Sequence, residues 1–104
     1  MPVTTIEGHT VNVDPEGFLT QYSEWDEDVA RALAAQIGIT LTEEHWTAIR
    51  LLRQDYLDQG ETAALRRISL LTGIPIKQLF VLFPQKPAKK LAYVAGLPKP
   101  HGCV

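Results

Sequence analysis

The chain has 104 residues, 45% of them hydrophobic and 21% charged, with a net charge of −2. That describes one domain with a modest core; it excludes a membrane span, for want of a long apolar run, and a signal peptide, for want of a basic start and an apolar stretch. A single cysteine excludes an internal disulfide, and together these features point to a reducing, cytoplasmic setting.

The first twenty-odd residues read as a small β meander. Residues 3–6 and 10–13 are β-rich and flank Glu7-Gly8-His9, a tight-turn sequence. Asp14-Pro15-Glu16-Gly17 is a second turn, and residues 18–22 form a third strand. Such a sheet cannot stand alone and must pack on helices. From Ser23 the period becomes helical. Ser23 or Asp26 caps a first helix with Val29, Leu33 and Ile37 on one face, ended by Gly38. Thr42 caps a longer second helix with Glu43 and Glu44 in its first turn; its stripe is Trp46, Ile49, Leu52 and Tyr56, and Gly60 stops it. A third helix over residues 62–72 buries Leu65, Ile68 and Leu71. After Gly73, Pro75 opens a fourth helix carrying Ile76, Leu79, Phe80 and Phe83. Pro84 ends it, and Pro87 starts a fifth through Leu91 and Val94, stopped by Gly96. The fold class is α+β, mostly α: a small antiparallel meander on about five helices, with a globular unit over residues 1–96.

Helices three and four are short and joined by a glycine turn, which resembles a helix-turn-helix. Arg66, Arg67 and Lys77 lie on or near it, but the fourth helix offers only Lys77 and Gln78 as polar side chains. It is too apolar to read bases well.

Residues 97–104 form a mobile arm. Pro98 and Pro100 keep it from being helical, and the lone Cys103 stands next to last. Extended at about 3.1 Å per residue, the arm from residue 97 to the thiol reaches roughly 20 Å, with Gly96 as hinge and Gly102 as a thin neck. Only the thiolate is a good nucleophile; Lys99 and His101 favour it and the terminal carboxylate opposes it. The arm has no fixed base, no oxyanion site and no wall against water, so its chemistry belongs inside a partner's pocket. A zinc site would need more ligands beside His101 and Cys103, and His9 and His45 are far away in sequence. No metal or other cofactor is called for.

The charges divide sharply. Residues 1–61 carry twelve carboxylates against Arg31, Arg50 and Arg53, a net −9; residues 62–104 carry seven cations and no acid, a net +7. The plain reading is two solvated faces that attract each other within the fold. The functional reading is a basic, thiol-bearing half that docks on an acidic surface or on nucleic acid.

The run Phe83-Pro-Gln-Lys-Pro-Ala-Lys-Lys-Leu-Ala-Tyr-Val-Ala-Gly-Leu-Pro-Lys-Pro-His-Gly-Cys-Val104 resembles the C-terminal signature of the DsrC/TusE family. Glu16-Gly17-Phe18-Leu19, the Trp25 region, and Leu41-Thr42-Glu43-Glu44-His45-Trp46 followed by Arg50, Arg53 and Tyr56 extend the likeness over nearly the whole chain. The resemblance implies a helical domain with a small N-terminal sheet and a C-terminal arm that carries sulfur as a persulfide on Cys103. Members serving dissimilatory sulfite reductase have a second cysteine where this chain has Ala92, so a two-cysteine cycle is closed to it. A single-cysteine relay of the TusE kind remains. Donors of the TusBCD or DsrEFH type, and a tRNA 2-thiouridylase or a sulfite reductase as acceptor, are the implied partners, with tRNA nearby and the carrier a monomer. Lys89, Lys90, Arg66 and Arg67 are candidates for the docking face, and Gly96, Lys99, His101 and Gly102 for the arm. The alternative is a binding or regulatory module that occupies a sulfite reductase channel or binds DNA.

Overall fold

The computed structural model describes residues 3–6 and 8–100. Strands β1 (Val3–Ile6) and β2 (His9–Asn12) pair antiparallel, Val3 opposite Asn12 and Ile6 opposite His9. Helices α1 (Glu27–Gln36), α2 (Glu43–Gln59), α3 (Leu65–Thr72), α4 (Ile76–Leu82) and α5 (Pro87–Val94) follow.

The expected third strand does not form. Only Val13 and Leu19 make a bridge, after which the chain enters a 3-10 turn at Tyr22–Glu24. Glu24 explains the stop. Its carboxylate accepts the Asn12 backbone N–H at 2.7 Å and the Asn12 side-chain amide at 2.8 Å. That backbone donor is the one a continuing strand would use. The hairpin is therefore closed off by a side chain. Val11, Val13 and Leu19 then pack on Val29, Ala32 and Leu33 of α1 as a small second core.

The main core lies among α2, α3, α4 and α5. Ile49, Leu52, Ile68, Leu79, Phe83, Leu91, Val94 and Leu97 are all 1% exposed or less. Cap chemistry sets the helix ends. Asp26 accepts the Val29 N–H at 2.8 Å and so starts α1. At the head of α2 the Thr42 N–H donates to His45 Nδ1 at 3.0 Å, a histidine serving where a glutamate usually closes the capping box. The proton then resides on Nε2, which donates to the Leu82 carbonyl at 2.9 Å and ties α2 to the end of α4.

Helix α3 starts at Leu65, three residues later than the expected 62, because Thr62 and Ala63 are buried and Thr62 bonds elsewhere. Gly73 and Pro75 separate α3 from α4 as expected.

Candidate functional site

The C-terminal arm begins at the end of α5, and Arg53, Tyr22 and Trp25 build that junction. Arg53, on α2, is 9% exposed and has no carboxylate partner among the described residues. Its guanidinium lies between two aromatic faces, 3.8 Å from the Tyr22 ring centroid and 4.0 Å from that of Trp25. It donates to the Ala95 carbonyl at 2.7 Å and the Tyr22 carbonyl at 3.1 Å. A cation at a helix C-terminus meets the negative end of the dipole. Burial lowers the Arg53 pKa from the arginine range, and Tyr22 offsets part of that. Trp25 completes the cap by donating its indole N–H to the Val94 carbonyl at 2.8 Å.

Gly96 sits directly under Trp25. Its φ is +70°, and a Cβ there would lie 2.4 Å from Trp25 Cδ1. The Leu97 N–H donates to the Ala92 carbonyl at 3.0 Å, a Schellman closure with Gly96 in the left-handed position. Leu97 is 0% exposed.

The expected hinge at Gly96 is thus a locked turn, and the packed body runs past it. The chain beyond is laid against that body. Thr62 Oγ1 donates to the Pro98 carbonyl at 2.8 Å, Lys99 Nζ lies 3.2 Å from Glu16 Oε1, and Pro100 is buried. The physical reason is visible in the residues: Leu97 is apolar and belongs in the core, and it carries the turn with it. Cys103, His101 and Gly102 lie outside the described residues.

Arg67 and Arg66, expected to share a docking role, part company. Arg67 makes a bidentate pair with buried Asp55, Nε to Oδ2 at 3.0 Å and a terminal nitrogen to Oδ1 at 2.6 Å. This bond raises the Arg67 pKa. Arg67, itself half exposed, is therefore a structural partner that neutralises a buried carboxylate, while Arg66 makes no ion pair among the described residues. Lys89 and Lys90 are elsewhere, at the head of α5. With Lys86 they line a cleft of about 370 Å³ whose apolar wall is Phe18, Ile37 and Tyr93. The basic residues are not gathered into one cleft.

Thr62, Glu16 and Leu97 were not singled out for the site. Leu97 had a signal: an apolar residue directly after a helix-ending glycine is the mark of the Schellman turn. Thr62 and Glu16 had none, because their partners are 36 and 83 residues away.

Ala92, where a second cysteine would stand, is 0% exposed and packed within α5. On α4 the exposed side chains include Ile76, Phe80 and Val81, an apolar surface unlike a base-reading helix. Among the described residues no helix is long and apolar enough to cross a membrane.

The family model described as DsrC like protein matches residues 5–104. The sulfurtransferase TusE of Photorhabdus laumondii subsp. laumondii is 38% identical, with all of both chains covered. The solution structure of Allochromatium vinosum DsrC is 38% identical with a TM-score of 0.85, covering 98% of this chain and 97% of that one. The oxidised gamma-subunit of the dissimilatory sulfite reductase (DsrC) from Archaeoglobus fulgidus is likewise 38% identical, with a TM-score of 0.80 and coverage of 99% and 100%. With the family model matching residues 5–104 and a curated relative 38% identical over the whole of both chains, this chain belongs to the DsrC-like family.

Proposed function

We propose that the protein is a sulfur-relay carrier that holds one sulfur atom as a persulfide on Cys103 and passes it to an acceptor protein. The observation that carries this reading is the pairing of full-length sulfurtransferase relatives with a chain that has one thiol for sulfur to ride on. Transfer is a displacement. The acceptor's thiolate attacks the outer sulfur of the Cys103 persulfide, the sulfur–sulfur bond breaks, and Cys103 leaves as the thiolate. Electrons balance without an added oxidant, since one persulfide is consumed and one is formed. A cycle that closes a disulfide within the chain is closed to a protein with Ala92 and a single cysteine.

The body supports this work by fixing the root of the arm. Trp25 and Arg53 hold the last turn of α5, and Thr62 holds Pro98, so the root of the arm is fixed. Donors of the TusBCD or DsrEFH type, and a tRNA 2-thiouridylase as acceptor, fit the TusE-like reading. A reducing, cytoplasmic compartment fits a lone free thiol, and nothing in the scheme needs more than a monomer.

Incubation with a cysteine desulfurase and cysteine, followed by intact-mass measurement, tests the reading. A gain of about 32 Da, one sulfur atom, that is absent in Cys103→Ser supports it. No gain under conditions that load an established acceptor overturns it.

A further inference from the structure

The cleft at the head of α5 brings lysines and apolar side chains together. Lys86, Lys89 and Lys90 are three and four residues apart, so their cations crowd one helical face. They stand at the helix N-terminus, the positive end of the dipole, where cations are unfavourable. The first turn has no acid and no side-chain cap. Among the described residues none of the three lysines forms an ion pair. The one carboxylate that lines the cleft, Glu16, is paired with Lys99 of the arm. Ile37 and Tyr93, both half-buried, with the buried Phe18 behind them, give the same cleft its apolar lining.

We infer that this cleft is the docking site for an acidic, amphipathic segment of a partner protein: carboxylates on Lys86, Lys89 and Lys90, an apolar side chain against Ile37 and Tyr93. The inference rests on the carrier reading for the existence of a partner. Protein suits the site better than nucleic acid. A phosphate backbone needs an extended basic track, whereas here the cations are confined to about one turn and Glu16 lines the same cleft. The N-terminal half of the chain, at net −9, would repel a longer polyanion. Because Glu16 both lines the cleft and holds Lys99, an acid seated there competes for the contact that lays the arm on the body.

The probe is the hexapeptide acetyl-Glu-Glu-Phe-Leu-Glu-Glu-amide, titrated into the isotope-labelled Cys103→Ser protein and followed by amide resonances. Expected are saturable shifts at Lys89, Lys90 and Tyr93, with binding about ten-fold weaker in high salt. Lys89→Glu with Lys90→Glu abolishes them, and Glu16→Gln tightens binding by removing a like charge. No saturable shift at these amides overturns the inference. So do equal shifts from the glutamine analogue of the peptide, or tighter binding of hexauridylate. The thiol plays no part in this titration, so a failure of persulfide loading and a failure of docking are told apart.

Discussion

The two ends of α5 are built on opposite principles. At the C-terminal end every feature compensates another: Arg53 faces the negative end of the dipole, Trp25 bonds the Val94 carbonyl, and Gly96 with Leu97 closes the last turn. At the N-terminal end Pro87 suits the helix start, but the charges are not compensated. Three lysines meet the positive end of the dipole, with no acid and no cap in the first turn. One end is made for stability and fixes where the arm begins. The other gives up stability and presents charge to something outside the chain. A carrier needs both: a firm anchor for its arm and a recognition surface held beside it.

Breaking the anchored end has the largest expected effect. Gly96→Ala combines a left-handed backbone, about 1–2 kcal/mol, with a Cβ driven into Trp25, about 1–3 kcal/mol more. Gly73→Ala has nearly the same φ, +74°, but open space around it, so it should lose only the first part. Chemical denaturation of the pair separates backbone strain from the tryptophan contact; equal losses would mean that the Gly96–Trp25 contact does not matter. Arg53→Ala comes next, at about 2–3 kcal/mol, since it strips charge-assisted bonds from the Ala95 and Tyr22 carbonyls. The same denaturation experiment measures it, and Cys103 should still alkylate in the folded fraction.

The uncompensated end predicts a gain. Lys89→Glu with Lys90→Glu should raise stability by about 0.3–1 kcal/mol per residue as carboxylates meet the helix N-terminus, while sulfur delivery to a partner falls. A loss of stability would show that the lysines are structural. The smallest effect is one of pH. Burial raises the Tyr93 pKa above its usual value near 10. The folded state then holds this proton more tightly than the unfolded state. Tyr93 therefore contributes its full share below about pH 10, a share lost as pH rises through the raised folded value. Tyr93→Phe should flatten the alkaline limb of a stability–pH curve; an unchanged limb contradicts the assignment.

Much of this was legible in the residues. Asp26, Thr42, Gly60, Gly73 and Pro87 act locally, within one turn of where they stand, and they placed the helices closely. The features that escaped depend on distant partners. Glu24 stops the third strand by capturing Asn12 from twelve residues away. Thr62 leaves α3 to hold Pro98. Gly96 reads as a hinge until Trp25 is found above it. Arg67 reads as a surface cation until Asp55 is found beneath it. The basic half was visible as charge, but only the fold separates its members into a buried-acid partner on α3 and a docking cleft on α5. The motif around Cys103 carried the chemistry by resemblance, in a segment that lies outside the described residues.

Sulfur is proposed to travel on Cys103. Protein loaded with radiolabelled sulfur at that residue, freed of donor and mixed with the tRNA 2-thiouridylase under single-turnover conditions, gives the most direct answer. Label should leave the carrier and appear on an acceptor cysteine in equal amount, with none moved by Cys103→Ser. Label that stays on the carrier, or escapes as sulfide without marking the acceptor, contradicts it.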